Sequence, residues 1–275
     1  MLLTLIRGGG DLASGVALRL HRAGLKVLIT ELPQPTTIRR FVSFSEAIYR
    51  GEFTVEGVTA RRVDDLGQAL ACLATGAIPV RVDERIKTLE QIQGEYKEIT
   101  HILVDARMRK APPEFGKGAA RLVIGLGPGF VAGVHCHVVV ETKRGHRLGR
   151  VIWEGSAEAD TGIPEGVAGR AAERVIRAPA DGVLEAMVEI GSHLDPGEPI
   201  ARVGKETITA PFSGVLRGLV HPGLEVKKGL KIGDLDPRDD PSYCYLVSGK
   251  SLAVGGGVLE AILSITELRP LLWDR

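Results

Sequence analysis

The sequence is poor in aromatic residues, balanced in charge and without a long apolar run, and each feature excludes a class of protein. Phe, Trp and Tyr make up 4% of its 275 residues, which argues against a surface that stacks nucleic-acid bases. Because 35 basic residues are matched by 34 acidic ones, no basic excess favours a nucleic-acid partner. No segment approaches the roughly 18 apolar residues that span a bilayer, and no signal-peptide pattern precedes Arg7.

Cysteine is scarce as well. Cys72, Cys136 and Cys244 are an odd number and lie far apart in the sequence, which is no disulfide framework. We therefore expect a cytoplasmic protein in a reducing environment, with no nucleic-acid partner and no membrane association.

The N-terminal half alternates short apolar runs with helical periodicity. This alternation predicts an α/β fold, in which a Rossmann-like, mostly parallel sheet carries helices on both faces. The predicted strands are 2–6, 26–30, 77–83, 101–106 and 121–126, and the predicted helices are 11–25, 64–76 and 87–95. Near the C-terminus, the stretch 248–263 shows helical spacing with Ser248 as its cap.

The glycine-rich stretch "IRGGGDLASG" (6–15) lies between the first predicted strand and the first predicted helix. Gly8, Gly10 and Gly15 form a variant of the dinucleotide-binding fingerprint with a longer last gap. In this context the backbone N–H groups at the helix start favour a phosphate. Glu31, at the tip of the second strand, is placed to accept from ribose hydroxyls. The alternative is that the glycines only let strand and helix pack closely.

Two further loops follow predicted strands, where an open sheet places its ligand. In "DARMRK" (105–110), Asp105 and Arg107 are candidate ligand contacts, with a surface salt bridge as the alternative. In "GLGPGF" (125–130), Gly127 and Gly129 shape a turn that exposes an N–H to an anion. The full set of candidate cofactor-binding residues is Gly8, Gly9, Gly10, Asp11, Gly15, Glu31, Asp105, Arg107, Gly127 and Gly129.

The second half contains an internal repeat with a period of 32 residues. Residues 178–203 and 210–235 share "AP-x-x-GVL" and several glycines in register, so that two halves too small to fold alone would close on each other. The pattern resembles the biotinyl/lipoyl-type barrel-sandwich hybrid. The position that would carry the modified lysine is Val203, so we expect no biotin or lipoate.

Between the two halves, "VHCHVVVE" (134–141) places His135 and His137 on one face of a predicted strand and Cys136 on the other. The histidines are weak candidates for a metal, because no further ligand motif accompanies them, and we expect no metal site. Cys136 is expected to be a buried thiol, with a sulfur- or selenium-carrying role as the alternative.

Five stretches together resemble the selenium-dependent molybdenum hydroxylase system proteins, namely "RGGGDLASGVALRLHRAG", "TTIRRFVSFSEAIY", "GLGPGFVAGVHCHVVVETKRGHRLGRVIWEG", "TGIPEG" and "GGGVLEAIL". The N-terminal half is also similar to the Rossmann domain of xanthine dehydrogenase accessory proteins. The resemblance implies a cytoplasmic maturation factor that binds a molybdopterin-type cofactor or a related nucleotide at the glycine-rich loop. It also implies a molybdenum hydroxylase apo-enzyme or another maturation protein as partner, with a homodimer as an open option.

Two other functions stay open, an NAD(P)-dependent oxidoreductase and a non-catalytic docking scaffold. NAD(P) is the weaker cofactor expectation, because the glycine spacing departs from the standard fingerprint. The predicted domains are an α/β domain (1–132), a β-hairpin connecting segment (133–175), an unmodified barrel-sandwich hybrid (176–236) and a C-terminal segment with a helix that returns to the α/β domain (237–275).

Overall fold

A computed structural model describes residues 1–162 and 166–272, and it divides the chain into two compact units. The first unit comprises Met1–Pro33, Phe44–Asp160 and Val247–Arg275, and the second comprises Gln34–Ser43 and Thr161–Leu246. The domain boundaries expected from the sequence stay predictions. Residues 163–165 of the "TGIPEG" stretch lie outside the described residues.

The first unit is built on one nine-stranded sheet. Its strands are β1 (Leu2–Arg7), β2 (Lys26–Glu31), β3 (Glu52–Val55), β4 (Val58–Val63), β5 (Ile78–Val82), β6 (Thr100–Asp105), β7 (Leu122–Leu126), β8 (Val138–Val140) and β9 (Val151–Ile152). Its helices are α1 (Asp11–Arg22), α2 (Ala47–Arg50), α3 (Leu66–Ala74), α4 (Lys87–Glu95) and α5 (Gly249–Ser264), with 3-10 turns at Phe44–Glu46, Lys117–Ala119 and Thr266–Leu271.

The sheet is mixed, in the order β3-β4-β5-β2-β1-β6-β7-β8-β9. The strands from β4 to β8 run parallel, whereas β3 and β9 pair antiparallel at the two edges. The β3–β4 hairpin turns at Glu56 and Gly57, whose φ angles of 45° and 80° are the positive values that a tight two-residue hairpin requires.

A buried apolar core covers one face of the sheet. It combines side chains of the central strands with the apolar faces of α3 and α4, namely Leu3, Leu5, Leu28, Leu103 and Val123 with Leu66, Ala69, Leu89 and Ile92. These strand side chains share one core because every second side chain of a strand points to the same face of the sheet.

Helix α5 packs closely against α1 through small residues. A Cβ added to Gly15 of α1 would lie 2.5 Å from the Cβ of Ser251, and one added to Gly255 would lie 2.8 Å from the carbonyl oxygen of Gly15. Ser248 caps α5 by accepting from the amide of Ser251, which confirms the cap expected from the sequence. Gly15 therefore serves helix packing.

One helical stretch within the described residues, Pro241–Ser264, is long and apolar enough to cross a membrane by length and composition alone. Its α5 portion buries Val254, Val258 and Ile262 completely. A core helix of a globular unit has the same composition, so the apolar character of α5 is accounted for by its packing.

The second unit contains two four-stranded antiparallel sheets. Their strands are β10 (Val175–Arg177), β11 (Gly182–Ala186), β12 (His193–Leu194), β13 (Pro199–Val203), β14 (Glu206–Thr209), β15 (Gly214–Leu219), β16 (Glu225–Val226) and β17 (Lys231–Asp236), with 3-10 turns at Arg40–Val42, Ala172–Arg174 and Pro241–Cys244. The sheet orders are β10-β17-β15-β12 and β14-β13-β11-β16.

The 32-residue repeat is visible in this arrangement. Strands β11, β12 and β13 recur 32 residues later as β15, β16 and β17, and equivalent strands occupy equivalent places in the two sheets. Each sheet contains strands of both repeats, so neither repeat completes a sheet by itself.

The fold class expected from the sequence is wrong. Hairpins add an antiparallel strand at each edge, which makes the large sheet mixed, and few helices accompany it. The segment expected to be a barrel-sandwich hybrid forms two antiparallel sheets instead. The strand periodicity was visible in the sequence, but the direction of the edge strands depends on short turns that leave little signal in it.

Candidate functional site

The carboxyl ends of β2, β1 and β6 lie side by side at one edge of the large sheet. Strand β1 pairs with β2 on one side, where Arg7 faces Thr30, and with β6 on the other, where Arg7 faces Asp105. The chain runs outward from β1 in both directions, through β2 and β5 on one side and through β6 and β7 on the other. In open sheets with parallel strands, the crevice at such a reversal is where ligands bind.

The glycine-rich turn follows β1 at this point and is bonded to the protein itself. Gly8 has a φ of 97°, and a Cβ there would lie 3.4 Å from the carbonyl of Ala106. The amide of Gly9 donates to Oε2 of Glu31 at 2.6 Å, and its carbonyl accepts from the Ser45 amide and from the Ser14 hydroxyl. The polar groups of Gly9 are thus engaged by protein atoms.

Glu31 provides the negative charge that the turn contacts. Its Oε1 accepts from the amide of Leu32 at 2.7 Å, while Oε2 accepts from Gly9. Burial raises the pKa of Glu31 above its ordinary value, against the lowering effect of these two amides. Both carboxylate oxygens bind backbone amides here, whereas the sequence suggested ribose hydroxyls.

Gly10 and Asp11 begin helix α1. Gly10 is the extended residue before the helix and provides no side-chain cap, and Asp11 is the first helical residue. A carboxylate in the first turn is favourable there, because it faces the positive end of the helix dipole.

A cluster of charged side chains lies next to the glycine turn, at the ends of β1 and β6. Nε and Nη2 of Arg107 donate to the two carboxylate oxygens of Asp105, and its Nη1 and Nη2 donate to Oε1 and Oε2 of Glu114, both at 2.8 Å. Arg7 donates to Oε1 of Glu114 at 2.7 Å, and Arg109 donates to Oε2 at 3.3 Å. Three guanidinium groups therefore converge on one carboxylate.

Burial within this cluster is uneven. The side chain of Arg7 is 3% exposed, whereas that of Glu114 is 40% exposed. The guanidinium of Arg7 also lies over the ring of Phe115, at 5.7 Å from the centroid. Asp105 is buried, so Glu114 and the half-exposed Arg109 are the accessible side chains of the cluster.

The electrostatics follow from these contacts. Hydrogen bonds from Arg107, with a further contribution from Arg7, hold the pKa of Glu114 well below its usual range. Burial opposes ionisation of Arg107, but its bonds to Asp105 and Glu114 raise its pKa above the ordinary value. Three guanidinium groups face two carboxylates, which leaves one net positive charge.

The loop that carries these arginines has an irregular backbone. Met108 and Lys110, on either side of Arg109, have φ angles of 57° and 60°, a conformation that non-glycine residues rarely adopt. Such backbone costs free energy and clusters at ligand-binding sites. Lys110 is held by an ion pair to Asp160.

Gly127 and Gly129 support this loop. A Cβ on Gly127 would clash with the hydroxyl of Thr142 and would lie 3.2 Å from Cε of Met108. A Cβ on Gly129 would lie 2.7 Å from the amide nitrogen of Ala111. These contacts give both glycines a packing role beside the candidate site, and their binding of an anion stays a prediction.

The two histidines of the 134–141 stretch each accept a hydrogen bond from a different backbone amide, and the cysteine between them is buried. Nδ1 of His135 accepts from the amide of Val131 at 3.1 Å, and Nδ1 of His137 accepts from the amide of Val123 at 2.9 Å. Burial, with the charges of Lys117 and Arg121, lowers the pKa of His137. Burial raises the pKa of Cys136 to about 11, so the thiol stays protonated at neutral pH.

Within residues 1–162 and 166–272, no group of three or more His, Cys, Asp or Glu side chains is placed to hold a metal ion. A cleft of about 290 Å³ opens at the end of β5, two strands from β1. Arg81, Val82, Asp83, Glu84, Arg85 and Lys87 line it. Asp83 is committed to the start of α4, because its carboxylate accepts from the amides of Arg85, Lys87 and Thr88.

Sequence reasoning identified Asp105 and Arg107 and missed Arg7, Arg109 and Glu114. One available signal was Arg7 itself, a charge that ends the otherwise uncharged strand "LLTLIR". The contribution of Glu114 had no local signal, because its partner Arg7 lies 107 residues away.

The chain is 45% identical over 263 residues to the uncharacterized protein YqeB of Escherichia coli (strain K12). The alignment covers 96% of this chain and 48% of that protein, so the chain spans about half the length of the curated relative. No protein-family model matches the chain.

Solved structures with some similarity include a succinylglutamate desuccinylase from Silicibacter sp., with 13% identity, 85% of this chain and 84% of that chain covered, and a TM-score of 0.25. The ectoine utilization protein EutE (DoeB) from Ruegeria pomeroyi matches at 12% identity, 86% and 87% coverage, and a TM-score of 0.24. A succinylglutamate desuccinylase/aspartoacylase from Rhodobacter sphaeroides matches at 15% identity, 86% and 88% coverage, and a TM-score of 0.25. Scores this low do not establish a common fold.

These findings contradict the family and the function expected from the sequence. The name of the curated relative carries no molybdenum hydroxylase, selenium or molybdopterin designation, and no family model connects the chain to that system. The assignment as a molybdenum hydroxylase maturation protein is therefore wrong, and so are its two alternatives. The expectations about cofactors and partners stay predictions.

Proposed function

We propose that the protein binds a small anionic molecule at the carboxyl ends of β1 and β6, through Arg7, Arg107 and Arg109. The observation that supports this function is the convergence of three guanidinium groups on one carboxylate, that of Glu114. The planar fork of Arg107 binds two oxygens of one group at once, which is the geometry that recognises carboxylates and phosphates.

The burial of Arg7 supports the same proposal. Removing a guanidinium from water is costly unless anions compensate it, and surface ion pairs contribute little to stability. The pair Arg61–Glu52, in which both side chains are about half exposed, is an ordinary surface contact by comparison. Arg7, by contrast, is buried where open sheets bind their ligands, and the carboxylate that compensates it, that of Glu114, is partly exposed.

Isothermal titration calorimetry with malonate and with inorganic phosphate tests the proposal. Arg107→Lys keeps the charge and removes the fork, so we expect the Kd to rise about tenfold, and Arg109→Gln should raise it about threefold. Arg61→Gln, which removes an exposed guanidinium of the same unit, is the matched control and should leave the Kd unchanged. Equal weakening in all three variants, or no binding by the unmodified protein, would contradict the proposal.

A cytoplasmic location remains part of this proposal, since small anionic metabolites are abundant there. Fractionation of cells that produce the full-length protein tests it. Recovery of the protein in the membrane fraction would contradict this location.

A further inference from the structure

The carboxylate of Glu114 has the features of an internal substitute for the ligand. It is bound by Arg7, by both terminal nitrogens of Arg107 and by Arg109, and it is the accessible carboxylate of the cluster. The two bonds from Arg107 are equal in length, at 2.8 Å, as expected for a planar carboxylate seated in the fork of a guanidinium.

The backbone before Glu114 is restricted by proline, whereas its side chain is partly exposed and held by hydrogen bonds from three arginines. Pro112 and Pro113 precede it, and proline fixes the φ angle of each position. Phe115, directly after it, lies under the guanidinium of Arg7. Because Glu114 is partly exposed, rotation about its side-chain bonds is enough to move the carboxylate into solvent while the backbone stays in place.

The charges of the cluster indicate which kind of ligand would replace the Glu114 carboxylate. With Glu114 turned away, Arg7, Arg107 and Arg109 face only Asp105, whose two oxygens are both engaged by Arg107. Two positive charges would then remain uncompensated beside the buried end of β1. An incoming carboxylate restores the contacts that Glu114 makes.

We infer that Glu114 occupies the binding site of a carboxylate-bearing ligand and competes with it, so that ligand binding displaces this side chain. This inference rests on the proposed function and adds the ligand class and the residue that limits affinity. The removal of the competing charge is therefore expected to strengthen binding, which is the reverse of what the loss of a ligand contact produces.

Glu114→Gln tests the inference, because it keeps the size of the side chain and removes its charge. We expect this variant to bind malonate at least about tenfold more tightly than the unmodified protein, measured by calorimetry. Glu52→Gln removes an exposed carboxylate that pairs with Arg61 in the same unit, and it should leave the affinity unchanged.

The outcomes separate the two claims. Binding of malonate with the same Kd in the unmodified protein and in Glu114→Gln would overturn the competition and leave the anion site standing. If Glu114→Gln bound inorganic phosphate more tightly than the unmodified protein does, but malonate no more tightly, the assignment of the ligand as a carboxylate would be overturned. Absence of binding in every protein would overturn the proposed function itself.

Discussion

Each of the two units contains a cluster of three arginines and two acidic residues, and the clusters differ in whether both acids are buried. In the second unit, Arg217 bridges Asp234 and Asp236, while Arg174 contacts Asp234 and Arg238 contacts Asp236. Both carboxylates are buried, at 3% and 2% exposure. In the first unit, Asp105 is equally buried, but Glu114 is accessible.

The network of the second unit, with both carboxylates buried, stabilises the fold, whereas the network of the first unit is able to exchange its accessible carboxylate. Breaking a buried network leaves a charge without compensation, whereas an accessible carboxylate is replaced by water or by a ligand at small cost. The same composition therefore serves structure in one place and, by our proposal, binding in the other.

The largest expected effect is the loss of stability in Asp234→Asn. This change removes the carboxylate that Arg174 contacts and one of the two that Arg217 bridges, and we expect the free energy of unfolding to fall by about 3–5 kcal/mol. Urea denaturation measures it. A smaller fall in the free energy of unfolding than that of Glu114→Gln would contradict a structural role for the cluster of the second unit.

An intermediate effect is expected for Glu114→Gln itself. The change removes the carboxylate that pairs with buried Arg7, but Glu114 is partly exposed and water screens the charge, so we expect a loss of about 1–2 kcal/mol in the same urea experiment. A loss as large as that of Asp234→Asn would contradict the exchangeable role of this carboxylate.

The pH dependence sharpens the same comparison. The arginines hold the pKa of Glu114 below its ordinary value of 4.5, so its contribution to stability is present above that pH and is lost as the pH falls through the lowered pKa. The difference in Tm between the unmodified protein and Glu114→Gln should therefore shrink between pH 7 and pH 3. A difference that stays constant over this range would show that the charge of Glu114 does not matter.

The smallest effect is expected for an ion pair that the internal repeat relates to the buried one. Glu185 and Arg202 lie 32 residues before Arg217 and Asp234, and they form a pair in the first repeat with the charges exchanged and both side chains about half exposed. A double-mutant cycle with Glu185→Gln and Arg202→Gln should give a coupling below about 1 kcal/mol. A coupling of several kcal/mol would contradict the dependence on burial.

Local patterns in the sequence predicted much of the secondary structure, and tertiary contacts decided what it could not predict. The strand before Gly8, the helix after it and Ser248 as a cap each follow from a few adjacent residues. The sheet edges do not, because a two-residue turn such as Glu56–Gly57 sets strand direction with little sequence.

In the candidate site too, local sequence predicted some residues and tertiary contacts decided the others. Asp105 and Arg107 were predicted because they lie at and just after the carboxyl end of a strand, where ligand contacts concentrate. The Gly9 amide was expected to meet a phosphate, but the structure places Glu31 there, from the neighbouring strand. Glu114 reaches Arg7 across 107 residues, and no periodicity in one sequence reveals such a pairing.

A crystal structure of the Glu114→Gln variant soaked with malonate tests the central claim most directly. Our account predicts one malonate carboxylate in the fork of Arg107 and within about 2.7–2.9 Å of an Arg7 nitrogen, with the Gln side chain turned toward solvent. Malonate bound elsewhere, with the Gln side chain still seated between Arg7 and Arg107, would contradict it.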